Sequence, residues 1–226
     1  MWVKICANTN VEDAKLAAEF GADAVGFVFA PSKRQVTAEQ VATVIPHLPI
    51  ELEKIGVFVT RHAVEIAGIV RASGLTGVQL HGGFDIDLAR RLRAELGAGV
   101  TIIQTLHWLV DGDASNADQV AAQLVAIASE PAIDRVLVDS KIGSVNGGSG
   151  ISFDWNLARK TLVLDGGLKI IVAGGLRPEN VAAASAALNA WGVDVASGVE
   201  ADPGRKDPRK LQEFIRNVKN PAIVSG

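Results

Sequence analysis

The chain has 226 residues, of which 48% are hydrophobic and 21% charged, with a formal net charge of −3. That slightly acidic balance excludes a basic nucleic-acid footprint, and no apolar run is long enough to span a membrane. A single cysteine rules out an internal disulfide and, with no signal-peptide apolar region at the start, predicts a cytoplasmic protein.

Eight apolar, β-branched runs are predicted as strands, at 2–6, 24–29, 54–59, 77–81, 100–104, 135–139, 169–173 and 193–196. Between them, helical periodicity covers 11–20, 37–45, 63–72, 85–96 and 178–188. Asn10 and Thr37 stand where helix caps belong, and Pro178 suits a first helical position. The longest irregular pieces are 106–117 and 140–152, the second rich in glycine and serine. Strict strand–helix alternation implies a parallel sheet with crossovers, and eight repeats favour closure. The expected fold is therefore α/β: a single (β/α)8 TIM barrel, one domain over 1–226.

Active sites of such barrels form at the C-terminal ends of the strands. Cys6 ends the first strand, Arg34 follows the second, His81 ends the fourth and Asp139 ends the sixth. Gly174-Gly175 and Ser197-Gly198 follow the seventh and eighth. Paired glycine turns there let backbone N–H groups approach an anion, so they are the candidate phosphate cradle. Taken singly, each residue also has a plainer reading. A lone cysteine is usually a small buried hydrophobe, Arg34 a solvated loop cation, His81 a hydrogen-bonded rim residue and Asp139 a backbone cap. Their convergence on one rim favours a functional site.

The segments Lys4-Ile-Cys-Ala7, Gly21 to Arg34, Val78-Gln-Leu-His-Gly82, Leu137-Val-Asp139, Phe153-Asp-Trp155, Ala173 to Asn180 and Val193 to Glu200 run in order along the chain. As an ordered set they closely resemble the phosphoribosylanthranilate isomerase family of tryptophan biosynthesis. The resemblance implies a cofactor-free, metal-free Amadori rearrangement of N-(5-phosphoribosyl)anthranilate to 1-(2-carboxyphenylamino)-1-deoxyribulose 5-phosphate. It also implies Cys6 as general base, Asp139 as general acid and Arg34 as partner of the anthranilate carboxylate. A thiolate base needs nearby positive charge to lower its pKa, and an acidic Asp needs burial or negative charge to raise its own. Period-two alternation puts Lys4 on the face of Cys6, and Asp194 points the same way on the eighth strand. A Lys4–Asp194 ion pair beneath Cys6 is expected.

The chain departs from the family pattern at three places. Ala7 stands where glycine is common, so an ordinary β-region backbone is expected there. Ala196-Ser197-Gly198 lacks one hydroxyl, and Ile151-Ser152 replaces a Gly-Lys. Three alternatives carry less weight: a dual-substrate isomerase of the histidine pathway, a barrel that binds a sugar phosphate without turnover, and a structural protein. The first has an aspartate where this chain has Cys6, and needs a second cradle that is not evident. The predicted partner is a small-molecule substrate, with no nucleic acid and no membrane, and the chain is expected to be a monomer.

Overall fold

The computed structural model describes residues 1–111, 114–142 and 167–220. Eight parallel strands close into a ring: β1 (Trp2–Ile5), β2 (Ala24–Val28), β3 (Glu53–Phe58), β4 (Gly77–Leu80), β5 (Thr101–Asp111), β6 (Arg135–Ile142), β7 (Ile170–Ala173) and β8 (Gly192–Val195). Each pairs in parallel with its successor, and β8 pairs with β1 through Trp2–Gly192 to Ile5–Val195. Outside lie α1 (Val11–Glu19), α2 (Ala38–Val44), α3 (Ala63–Ser73), α4 (Ile86–Leu96), α5 (Ala117–Ala128), α6 (Val181–Leu188) and α7 (Pro208–Lys219). The (β/α)8 expectation is met.

The strands are buried on both faces, which is why they read as continuous apolar runs. Outward side chains such as Val3, Ile5, Val25, Phe27 and Val193 join the helices in the main core. Inward side chains Trp2, Ala24, Ile55, Ile103, Leu137 and Ile171 fill the lower barrel. At its base the Arg135 guanidinium lies 5.0 Å over Trp2 and 4.8 Å over Trp191 while binding Glu53 at 2.8 Å. Trp191 thus packs at the end remote from the strand C-termini. Trp155 lies outside the described residues.

Caps explain the helix starts. Asn10 accepts from Asp13 N–H, and Thr37 forms a reciprocal capping box with Gln40. Pro178 is a correction: α6 starts at Val181 behind Asn180, and Pro178 sits in a turn that Asn180 closes by accepting from Arg177 N–H. The segment 106–117 is another. β5 runs on to Asp111, pairing His107 with Asp139 and Val110 with Ile142, and its end pairs antiparallel with a short strand, Ala114–Ser115. Likewise β6 continues to Ile142, and the rest of 140–152 lies outside the described residues. Among the described residues two helices, α5 and α7, add to the five expected. In α7, Asp207 caps Arg209 and Lys210, and Leu211, Phe214, Ile215 and Val218 form the buried stripe.

Candidate active site

The C-terminal mouth of the barrel encloses a cavity of about 350 Å³. Cys6, Arg34, His81 and Asp139 line it. So do Gly174, Gly175, Asp194, Ser197 and Gly198. All nine residues expected from sequence meet at one rim.

Cys6 follows β1 and is buried. Below it the fully buried Lys4 donates to Asp194 Oδ1 at 2.8 Å and to Gln79 Oε1 at 2.7 Å. The expected ion pair is present, with Gln79 as an added acceptor. Gly26 on β2 makes room for both: a Cβ there would sit 2.7 Å from Cys6 Sγ and 2.9 Å from Lys4 Cε. Burial works to lower the Lys4 pKa, but the negative charge of Asp194 and of the Cys6 thiolate outweighs it, and the ammonium is held above its ordinary value.

The backbone after Cys6 corrects one expectation. Ala7 has φ 62, the left-handed region that glycine enters without penalty. A Cβ there costs about 1–2 kcal/mol. Asn8 pins this strained turn: its backbone N–H donates to Gly26 O at 2.9 Å and its Nδ2 to Ile5 O at 2.7 Å. The turn directs the Ala7 N–H to favour the Cys6 thiolate. The thiol differs too from the lowered pKa that a base calls for. Burial pushes it up, and Lys4, Lys206 and the Ala7 N–H offset only part of that rise.

Lys206 and Glu200 had no role assigned from sequence. Both belong to a short hairpin after β8, Glu200–Asp202 with Arg205–Lys206. Lys206 Nζ, itself buried, donates to Cys6 O at 2.6 Å and lies 3.5 Å from Glu200 Oε1. Burial pushes the Lys206 pKa below its ordinary value. Arg34 grips Glu200 with two nitrogens, Nε at 2.8 Å and Nη2 at 2.6 Å. Arg34 therefore enters the mouth already oriented by a carboxylate. The only sequence signal for this arrangement was Glu200 at the end of the eighth-strand motif.

Asp139 stands across the mouth on β6. Its Oδ2 is 3.9 Å from His81 Nε2 and 3.7 Å from His107 Nδ1. His107 was hidden by the reading of 106–117 as a loop. The two glycine turns meet closely. Gly174 and Gly175 have φ 96 and 63, and a Cβ on Gly198 would lie 1.9 Å from Leu176 O. A second recess opens beside these turns, lined by Gly175, Leu176, Ser197 and Gly198 together with two cations, Arg177 and Lys210, and one carboxylate, Glu179.

A closed parallel barrel whose C-terminal mouth gathers a thiol, a carboxylate, buried ammonium groups and paired glycine turns has the (β/α)8 architecture that carries active sites at that end. The sequence profile of the N-(5'phosphoribosyl)anthranilate (PRA) isomerase family matches residues 3–217. The chain belongs to that family. It is 36% identical to the N-(5'-phosphoribosyl)anthranilate isomerase of Oceanobacillus iheyensis over 99% of this chain and 100% of that one. It is 40% identical to that of Pelobacter propionicus, over 96% of this chain and 95% of that one. Among solved structures, the phosphoribosyl anthranilate isomerase of Thermotoga maritima superposes with a TM-score of 0.80 at 36% identity, covering 97% of this chain and 98% of that chain. Another, solved in complex with reduced 1-(o-carboxyphenylamino)-1-deoxyribulose 5-phosphate, has a TM-score of 0.78 at 34% identity, with 97% and 98% covered.

Proposed function

We propose that this chain isomerises N-(5'-phosphoribosyl)anthranilate to the 1-deoxyribulose 5-phosphate product, an aldose amine becoming a ketose amine in tryptophan biosynthesis. The observation that carries the reading is the meeting of Cys6, Asp139 and the two glycine turns around one cavity. The family and the analogue complex of a solved relative support it.

Asp139 donates a proton to the furanose ring oxygen, and the ring opens to an imine. Cys6, as thiolate, removes the proton from C2 of the sugar, giving an enolamine that tautomerises to the ketone. Lys4 and Lys206 stabilise the thiolate, while burial makes it the stronger base once formed. His81 flanks the acid. Asp194 acts through Lys4. Arg34, steadied by Glu200, turns its remaining edge to the anthranilate carboxylate. The N–H groups of Gly174, Gly175, Ser197 and Gly198 receive the phosphate, where fixed backbone donors serve without reorganisation. In that tautomerisation C1 takes up a proton and the C2 hydroxyl gives one up, and transfer from the Cys6 thiol and to the Asp139 carboxylate restores both groups for the next turnover.

The chain acts as one domain and as a cytoplasmic monomer in this reading. A solved relative from Thermotoga maritima is described as dimeric, so gel filtration tests the last point. Among the described residues no helix is long and apolar enough to cross a membrane. A coupled fluorescence assay that follows consumption of the anthranilate ribotide tests the activity. Rescue of a tryptophan auxotroph that lacks the isomerase, without rescue of the matching histidine auxotroph, tests the single-substrate reading.

A further inference from the structure

We infer that His81, His107 and Asp139 form a binding site for a borderline divalent transition-metal ion, with Zn²⁺ or Co²⁺ as the fitting class, at which the ion inhibits the enzyme. The three residues come from three neighbouring barrel strands. Each offers one ligand atom, and all three atoms lie within 4.8 Å of one another. His81 Nε2 and His107 Nδ1 both face the same carboxylate oxygen, Asp139 Oδ2, at 3.9 and 3.7 Å. The two rings stand at 90° with centroids 4.7 Å apart, so their nitrogens converge without stacking.

A second, independent feature points the same way. His107 Nε2 lies 3.1 Å from His81 O. A carbonyl oxygen only accepts, so Nε2 carries a proton, and the other ring nitrogen, Nδ1, is the one that faces Asp139 and ligates in its deprotonated form. A ring N–H given to a backbone carbonyl is the usual support of a metal-binding histidine, because it fixes tautomer and orientation. The strand that carries His107 is held in turn by Asn116, which accepts from Leu109 N–H at 2.8 Å and donates to His107 O at 2.9 Å. Ligand distances of about 2.0–2.2 Å require the three atoms, which lie within 4.8 Å of one another, to draw in further around the ion. Two imidazoles and one carboxylate favour Zn²⁺ or Co²⁺ over Mg²⁺ and Ca²⁺, which prefer all-oxygen shells. Three protein ligands leave a coordination position for water on the cavity side. An ion held there occupies the carboxylate that the proposed reaction uses as its acid. The inhibitory part of the inference therefore rests on the isomerase reading, whereas binding does not.

The test is titration of the chelator-treated full chain with Co²⁺, read by visible d–d absorption. A low-coordinate site without sulfur-to-cobalt charge transfer is expected. Cys6→Ser should keep the band. His107→Gln and His81→Gln should each weaken binding at least about tenfold while circular dichroism shows the fold retained. Zn²⁺ should lower the kcat of the wild type on the anthranilate ribotide, and chelator should reverse the effect. Absence of a d–d band at millimolar Co²⁺, a band with charge transfer that Cys6→Ser abolishes, or a band indifferent to both histidine variants overturns the site. A band that saturates while isomerisation continues unchanged overturns the inhibition. Absence of turnover in the metal-free wild type falls on the isomerase reading, and the absorption titration then decides the metal site alone.

Discussion

Lys4 and Asp194 are 190 positions apart, yet they are direct neighbours across the β1–β8 seam, Lys4 Nζ lying 2.8 Å from Asp194 Oδ1. The seam is where the ring closes. The ion pair therefore joins the first and last strands and places its charge directly under Cys6. Lys4 is fully buried, so its charge is tolerable only because Asp194 and Gln79 both accept from it.

Lys4→Met should destabilise the chain by about 3–5 kcal/mol, because it strands a buried carboxylate. Replacing Asp194 by Leu in the same chain should recover part of the loss, since apolar groups of similar volume substitute well for a buried pair. Urea unfolding of the three proteins measures both. A Lys4→Met protein as stable as wild type would mean that water reaches Asp194.

Gly26→Ala should impair turnover. Its methyl would meet Cys6 Sγ at 2.7 Å and Lys4 Cε at 2.9 Å, and the Cys6 Cα at 3.1 Å leaves the backbone little room to give. Displacing the sulfur by a fraction of an ångström to one ångström can cost about 100-fold in rate. Overpacking adds a stability loss of about 1–3 kcal/mol. Steady-state kinetics alongside thermal unfolding separates the two effects. Wild-type kcat in this variant would show that the sulfur has another place to go.

Much of this site was legible because strand ends in a closed barrel share one rim, and residue type then suggests the chemistry. That logic located Cys6, Asp139 and both glycine turns, and pairing Lys4 with Asp194 needed only period-two alternation and ring closure. Other features depend on what no linear pattern encodes. The left-handed Ala7 follows from a turn that Asn8 pins across to Gly26. Lys206 and Glu200 reach the mouth through a hairpin whose sequence, Glu-Ala-Asp-Pro-Gly-Arg-Lys, reads as polar loop. His107 was missed for a different reason. The apolar run Thr105 to Val110 did signal a longer strand, but a strand was expected to stop with its neighbours, whereas β5 pairs with β6 well beyond the rim. The Cys6 thiol was expected to be lowered by nearby charge. Burial proves the larger effect.

Gly198→Ala should weaken substrate binding. Its Cβ would fall 1.9 Å from Leu176 O, a backbone atom that cannot step aside, so the turns after β7 and β8 must part. Losing one hydrogen bond to a charged phosphate costs about 1.5–3 kcal/mol, a rise in KM of roughly ten- to a hundredfold. Inhibition by inorganic phosphate should weaken in parallel. An unchanged KM together with unchanged phosphate inhibition would place the cradle elsewhere.

Acid should loosen the hairpin that holds Lys206. Burial tends to raise the Glu200 pKa, but the Arg34 hydrogen bonds, Lys206 and the Gly204 N–H together hold it below the ordinary carboxylate value. A carboxyl lowered in the folded state contributes stability above its unfolded pKa and loses it as pH falls through the folded one. Urea midpoints should therefore decline on acidification below the ordinary carboxylate range. Glu200→Gln should flatten that slope while lowering stability near neutrality, because Arg34 and Lys206 lose their counter-charge. Equal slopes in the two proteins would show that other carboxylates carry the acid limb.

Cys6 and Asp139 should fail as an acid–base pair rather than as binding residues. Such groups contribute about 10²–10⁴-fold each, so Cys6→Ala and Asp139→Asn should each cut kcat by at least about 100-fold with little change in KM. Arg34→Ala should instead raise KM, since its contact exists already in the ground state. The pH dependence gives a sharper test. In wild type the reaction needs Cys6 deprotonated and Asp139 protonated. Asp139→Asn removes the acid's titration and leaves the base's. A base acts in its deprotonated form, so the residual kcat/KM of that variant should climb with pH. Burial raises the thiol above its ordinary value, so the climb should continue past the usual thiol range. Adding Lys4→Met removes a charge that favours the thiolate and should move the limb further up. A residual rate that levels off below the ordinary thiol range, or a limb that persists in Cys6→Ala/Asp139→Asn, would take the base role from Cys6.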